Sequence, residues 1–249
     1  MIHNAGIRVV DRFIDNPNIT ALIFAHLPGQ EVGQSIVDIL YGKQSPSGRL
    51  PYTVAKKASD YGALLNPTVP DANSNYYLQD NFTEGVYIDY KDFIARNVTP
   101  QYAFGYGLTY STFSYSNLTA SLAPNTTAGS AGATYNGNGT HVQPEGGDPA
   151  LWQTVASACI TIKNTGSVAA AEVAQLYLHI PGGPARVLRG FEKKFLQPGE
   201  SAEVTFELNR RDMSTWDVVQ QAWVLQSGAY EVMVGKSVID IQARGSLRV

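Results

Sequence analysis

Apolar and polar residues alternate along the last half of the chain. Three segments with a period of two place their apolar side chains at Ala158, Ile160 and Ile162, at Val204, Phe206 and Leu208, and at Tyr230, Val232 and Val234. Such a period is typical of strands with one buried face. Turn residues lie at 164–166 and 197–199. The pattern predicts an antiparallel β-sandwich over residues 113–249.

The first 55 residues show a different pattern. Residues 20–25 form a nearly unbroken apolar run, which is typical of a strand buried on both faces of a parallel sheet. Apolar residues at Val32, Ile36, Val37 and Leu40 predict an amphipathic helix over about 30–41. Val10, Phe13 and Ile14 predict an earlier helix. Residues 1–55 therefore read as two α/β units, too few for a complete doubly wound domain.

Two stretches lack a regular period. Residues 56–112 are rich in Asn, Asp, Tyr and Pro, and we expect an irregular linker that wraps other domains. A Gly-, Asn- and Thr-rich insertion near 124–149 has too few apolar groups to order a core, and it predicts a flexible loop within the β domain.

Composition excludes several partners. The net charge is −3 and the pI is near 5.8, so no electrostatic surface for nucleic acid or an anionic membrane is expected. No apolar run reaches the ~18 residues that a membrane span needs. The N-terminus lacks the residue order of a signal peptide, so this chain as written is not expected to enter the secretory pathway. The single cysteine, Cys159, is expected to be a half-buried strand residue.

The chain nevertheless contains six Asn-X-Ser/Thr sequons, which are acceptors for N-glycosylation. They begin at Asn18, Asn81, Asn97, Asn117, Asn125 and Asn138. Five of them fall in the polar, turn-rich interval from Asn81 to Asn138, and together they predict a secreted parent glycoprotein.

Three titratable residues follow predicted strands. His3 comes after the first apolar segment, and His26 and Glu31 come after the second. Because open α/β sheets gather ligands at the carboxyl ends of their strands, these residues are the candidates for chemistry. Their spacing matches no zinc site, and we predict no metal. The alternative is that they cap helix termini and satisfy loop backbone.

Several motifs resemble glycoside hydrolase family 3, most closely its fungal extracellular β-glucosidases. They are LPGQE and SPSGRLPY around the predicted helix, NFTEGVYIDY with FGYGLTYSTF in the linker, and LRGFEK, LQPGE, MSTWD and GAYEVMVG in the β domain. The resemblance implies an incomplete C-terminal part of an α/β sandwich domain followed by a fibronectin type III-like β-sandwich. It implies no cofactor.

The resemblance also implies which activity the parent enzyme has. Such a parent would hydrolyse terminal non-reducing β-D-glucosyl residues with retention, as in cellobiose breakdown, on a β-glucoside or oligosaccharide. Hydrolysis with retention of the anomeric configuration needs two carboxyl groups about 5–5.5 Å apart. In the family these lie on an N-terminal TIM barrel and early in the sandwich domain, upstream of the segments matched here. We therefore expect no catalytic residue in this chain, and we expect the missing barrel and half-sandwich to be its intramolecular partner.

The sequence leaves two classes of protein open. The chain is interpreted either as a fragment of a longer enzyme or as a separate carbohydrate-binding or interaction module. Aromatic residues bear on that choice, because a ring face can stack on a sugar. The linker tyrosines are Tyr76, Tyr77, Tyr87, Tyr90, Tyr102, Tyr106 and Tyr110. We predict that they pack against backbone, and that Trp216 and Trp223 belong to the β-domain core.

Overall fold

The computed structural model describes residues 1–65, 82–130 and 147–249. Its helices are α1 (Val32–Leu40) and α2 (Tyr90–Ala95), with 3-10 segments at Ala58–Leu65 and Pro149–Trp152. The strands are β1 (Phe113–Leu122), β2 (Gly129–Ser130), β3 (Thr154–Asn164), β4 (Ala170–His179), β5 (Val187–Leu196), β6 (Ser201–Asn209), β7 (Ser214–Asp217), β8 (Ala222–Leu225), β9 (Ala229–Gly235) and β10 (Ile241–Arg248).

The strands form an antiparallel sandwich with a small additional sheet. One sheet has the order β1-β3-β6, and the facing sheet has the order β10-β9-β4-β5. The main core lies between them and includes Ile160, Leu176, Phe206 and Val232. A third sheet, β2-β8-β7, contains the β7–β8 hairpin. Alternation along β3 and β6 agrees with the period of two seen in the sequence.

Strand β4 departs from that alternation, because nearly all of its residues are buried. Leu176 and Leu178 face the core between the sheets, whereas Tyr177 belongs to a second cluster with Tyr90 of α2, Ala103 and Met233. Tyr90 also accepts a hydrogen bond from the Leu188 backbone N–H at 3.1 Å. The segment from α2 to residue 105 therefore covers the outer face of the four-stranded sheet.

The first 55 residues form fewer regular elements than their pattern predicts. Residues 20–25 contribute only one parallel bridge, Ile2 to Phe24, instead of a strand. Turns replace the helix predicted around Val10 and Phe13, with the Phe13 N–H donating to the Val10 carbonyl at 3.1 Å. A strand needs neighbours to persist, and the described residues supply only these two segments of parallel sheet.

Helix α1 lies within the predicted range, yet none of its residues is buried. Val37 is 46% exposed and Leu40 is 61% exposed, although both belong to the apolar stripe. Val10, Leu50 and Val54 form a small core, with Phe24 and Tyr102 packed against it. Backbone hydrogen bonds join Leu50 to Tyr106 and Val54 to Tyr102. Residues 50–54 and 102–106 thus run antiparallel and tie this part to the β-sandwich.

Gly105 lies where the first part of the chain, residues 1–55, meets the second part, the β-sandwich. Its carbonyl accepts a hydrogen bond from Gln175 Nε2 at 2.9 Å, and its φ is +79°. A Cβ at this position would stand 2.0 Å from Gln175 Oε1 and 2.9 Å from the Tyr177 hydroxyl oxygen. The Gln175 amide cannot move freely, because Nε2 also donates to the Lys236 carbonyl at 2.7 Å and Oε1 accepts from Tyr177 at 2.6 Å.

We predict that Gly105→Ala lowers the free energy of unfolding by about 2–4 kcal/mol, from the left-handed backbone and the forced displacement of Gln175. Gly199→Ala is the matched control, because Gly199 has the same φ of +79° with no heavy atom near the added Cβ. The control should lose only about 1 kcal/mol. Urea denaturation of both variants measures the difference, and equal losses would contradict the packing argument.

Candidate functional site

The sheet-edge residues lie near the one parallel bridge. His3 and His26 follow Ile2 and Phe24, so both leave the bridge at the same end. The His26 ring packs edge-on against Tyr52, with centroids 5.5 Å apart, and its nitrogens lie 3.4–3.5 Å from the Tyr52 hydroxyl. His3 is exposed and Glu31 is an exposed N-cap residue of α1 without a side-chain cap hydrogen bond. No hydrogen bond or ion pair joins these three side chains.

This edge offers little chemistry by itself. Within residues 1–65, 82–130 and 147–249, no group of three His, Cys, Asp or Glu side chains is placed to hold a metal ion. Glycoside hydrolysis with retention needs a close carboxylate pair, and Glu31 has no acidic partner in the described contacts. The sheet-edge residues therefore remain a prediction without an assembled site.

Asp89 has a structural role that its sequence position does not reveal. Its Oδ1 accepts from the Thr53 backbone N–H at 2.9 Å, and its Oδ2 accepts from the Thr53 hydroxyl at 3.0 Å. Tyr61 donates its hydroxyl to the Thr53 carbonyl at 2.9 Å. Asp89 itself has a φ of +53°. Asp89 therefore fixes the start of α2 to residues 53–61.

The tyrosines of residues 82–112 pack mainly against the chain. Tyr90 is buried, and Tyr102 stacks on Tyr106 with centroids 5.6 Å apart. Tyr110 is 47% exposed, but its hydroxyl donates to the Ile39 carbonyl at 2.7 Å and so holds the end of α1. Tyr87 is 39% exposed. Tyr76 and Tyr77 lie outside the described residues.

The prediction that two tryptophans belong to the β-domain core is wrong. Trp216 and Trp223 pair across the short β7–β8 hairpin with ring centroids 5.5 Å apart, and Trp216 is 44% exposed. Both are absent from the core between the two large sheets. The hairpin belongs to the small third sheet, so its aromatic residues lie beside the sandwich and not inside it.

The buried junction of the two parts is centred on Glu172 of β4. Arg49 Nη2 donates to Glu172 Oε2 at 2.8 Å, and the Tyr115 hydroxyl donates to Oε1 at 2.8 Å. The side chains of Arg49 and Glu172 are 9% and 1% exposed. Burial, followed by the adjacent Glu172 carboxylate, raises the pKa of Tyr115 far above its ordinary range. The phenol therefore stays a donor, and each oxygen of the carboxylate accepts a hydrogen bond.

Four of the sequon asparagines fall in the described part of the chain, and all four are exposed: Asn18, Asn97, Asn117 and Asn125. The last three also have positive φ angles of 55°, 57° and 62°, a conformation that Asn tolerates better than most residues. Backbone geometry is thus a second reason for Asn at these positions. Asn81 and Asn138 lie outside the described residues, as do residues 131–146 of the predicted flexible insertion.

We predict that Arg49→Met lowers the free energy of unfolding by about 3–5 kcal/mol, because it leaves the Glu172 carboxylate buried without its cation. Lys194→Met removes one side of an exposed pair with Glu192, 3.9 Å apart, and should lose less than about 1 kcal/mol. Urea denaturation followed by tryptophan fluorescence compares them. Adding Glu172→Gln to Arg49→Met should restore part of the loss, and additive losses would contradict the pairing.

Comparisons with known proteins agree over both parts of the chain. The profile of the glycosyl hydrolase family 3 C-terminal domain matches residues 1–110, and that of the fibronectin type III-like domain matches residues 172–238. "Probable beta-glucosidase M" of Aspergillus niger is 51% identical over 249 residues, which are 100% of this chain and 32% of that protein.

Solved structures give the same result. The beta-D-glucoside glucohydrolase of Trichoderma reesei matches with a TM-score of 0.87 at 40% identity, over 99% of this chain and 33% of that one. A beta-glucosidase of Chaetomium thermophilum matches with a TM-score of 0.84 at 30% identity, over 99% of this chain and 37% of that one. The chain spans about a third of the length of the relatives it matches.

Proposed function

We propose that this chain, which belongs to glycosyl hydrolase family 3, is the C-terminal portion of a retaining β-glucosidase. The observation that carries the proposal is a match along the whole chain to named β-glucosidases, at 51% identity to the Aspergillus niger relative. The fold supports it, because the structural match to the Trichoderma reesei enzyme covers 99% of this chain. The two family profiles match the α/β part and the β domain in turn.

The proposed reaction is hydrolysis of terminal non-reducing β-D-glucosyl residues. It would proceed by two displacements, with one carboxylate as nucleophile and a second carboxyl group as acid and then base. We assign neither group to this chain. In the described contacts Asp89 bonds Thr53 and Glu172 bonds Arg49, so both carboxylates have structural partners. The proposed role of this chain is to complete the fold around the catalytic carboxylates. The buried junction at Glu172 holds residues 1–55 and the β domain together in that role.

The exposed apolar residues of the first part support a partner that covers them. Leu27, Leu40 and Tyr41 are 72%, 61% and 84% exposed, and the last two are adjacent at the end of α1. Exposed apolar patches mark interaction sites. The proposed cover is the barrel and the remainder of the α/β sandwich domain from the same longer protein.

An extracellular location is also proposed for the longer protein. Its support is the exposure of Asn18, Asn97, Asn117 and Asn125, which makes these sequons accessible to a glycosyltransferase. None of the described helices has the length and apolar character needed to cross a bilayer.

We predict that the purified 249-residue chain does not hydrolyse p-nitrophenyl β-glucoside above the buffer rate, because it supplies no nucleophile and acid/base pair. Fusing it to the preceding part of the Aspergillus niger relative should restore hydrolysis. The relative with its own C-terminal portion is the positive control.

Turnover by the isolated chain that disappears in Glu31→Gln would overturn this assignment and would revive the sheet edge as an active site. A fused protein that folds with the melting midpoint of the relative but leaves the substrate intact would also count against it.

A further inference from the structure

Arg189 of β5 lacks a directly bonded acceptor among the described residues. Its Nε is buried and has no hydrogen-bond partner, and none of the ion pairs between described residues includes it. Burial lowers the pKa of Arg189, as expected for a charge removed from water. A buried charge is stabilised only when an opposite charge or several acceptors meet it. Among the described residues no acceptor hydrogen-bonds the buried Nε of Arg189.

Two further cations adjoin Arg189. The hydrogen bond from Leu188 to the Tyr90 hydroxyl places α2 beside β5. Burial and then the positive charge of Arg189 lower the pKa of Lys91, and burial together with the positive charge of Arg211 lowers the pKa of Arg189. Two acids lie nearby: Asp89 acts electrostatically on Lys91, and Asp212, whose Oδ2 accepts from the Asn209 backbone N–H at 3.0 Å, acts on Arg189 and Arg211. Neither acid forms an ion pair with these cations, so among the described residues three cations face two carboxylates without direct pairing.

An aromatic surface continues from this cluster. The Arg211 guanidinium carbon lies 3.3 Å over the ring of Trp223, which contacts Trp216 of the same hairpin. The tip of that hairpin exposes Val218 and Val219, which are 71% and 89% exposed. Arg and Trp are the residues that most often carry binding energy in protein interfaces. We call Lys91, Arg189, Arg211, Trp216 and Trp223 the cationic–aromatic patch.

The charge of the patch selects its occupant. A neutral sugar could stack on a tryptophan ring, but it would leave the Arg189 charge unpaired. A carboxylate satisfies a guanidinium through two parallel hydrogen bonds. The chain spans about a third of its relatives, so most of the longer protein lies outside it and is available to supply such a group.

We propose that the cationic–aromatic patch is the docking site for an acidic side chain from the preceding part of the longer protein, with the carboxylate bound to Arg189. This inference rests on the proposed function, because it takes the longer family 3 enzyme as the partner. The patch is thus a second contact between the β domain and the rest of the enzyme, separate from the exposed apolar surface of residues 1–55.

The first experiment compares Arg189→Met in two settings. In the isolated chain the substitution should leave the melting midpoint unchanged or raise it, because it removes an unpaired buried charge. In the chain fused to the preceding part of the Aspergillus niger relative it should lower the midpoint by at least about 2 °C, because the incoming carboxylate loses its partner. Arg248→Met, an exposed arginine of β10, is the matched control and should change neither.

A loss of equal size in both settings would show that Arg189 serves only the fold of this domain, and no change in either would remove the docking role. Hydrolysis of p-nitrophenyl β-glucoside by the unsubstituted fused protein reports separately on the proposed function. If the fused protein is active but its melting midpoint does not change with Arg189→Met, the docking proposal alone is overturned.

A second experiment needs no fusion. Sodium sulfate, compared with sodium chloride at equal ionic strength, should raise the melting midpoint of the isolated chain and of Arg248→Met more than that of Arg189→Met, because sulfate enters the patch. General salting-out raises all three equally, and that result would argue against an anion site. Self-association of the isolated chain that Arg189→Met abolishes would identify a second copy as the occupant and would also overturn the proposal.

Discussion

A buried carboxylate holds the two parts of this molecule together. Glu172 lies on β4 of the sandwich, and its two oxygens are bonded by Arg49 from the first part and by Tyr115 from β1. Because the carboxylate is 1% exposed, it is stable only while both donors stay in place. The chain between residues 49 and 115 must therefore follow a path that returns both groups to β4. Residues 102–106 lie on this path, and they pair with residues 50–54 and contact Gln175.

That path explains why the four-stranded sheet is covered on both faces. Once residues 90–105 lie across it, Tyr177 and Met233 are buried on the outer side while Leu176 and Val232 fill the sandwich core. The β domain thus has a buried cluster on each side of this sheet. The first part differs: α1 buries none of its residues, and its parallel sheet is reduced to one bridge. The same chain combines a finished domain with a portion of a larger one.

Local patterns were sufficient for some of this structure. Alternation predicted β3 and β6, and the apolar stripe predicted α1, because both signals depend on neighbours within a few residues. The burial pattern of β9 was harder to predict, because Met233 is buried although its place in the alternation predicts a solvent-facing side chain. The contacts that decide the architecture have no local signal: Arg49 and Glu172 are 123 residues apart, and Thr53 and Asp89 are 36 apart. The tryptophans were misplaced because hydrophobicity alone does not tell which sheet a short hairpin joins.

The central claim is that residues 1–55 belong to an incomplete domain, whereas the β domain has its own buried core. Hydrogen exchange of the isolated chain, followed by mass spectrometry, tests it most directly. Amides of β3, β4 and β9 should exchange slowest, and those of Val32–Leu40 should exchange close to the unprotected rate. Val32–Leu40 should become protected when the chain is fused to the preceding part of the Aspergillus niger relative. Protection of Val32–Leu40 comparable to that of β4 in the isolated chain would contradict the account.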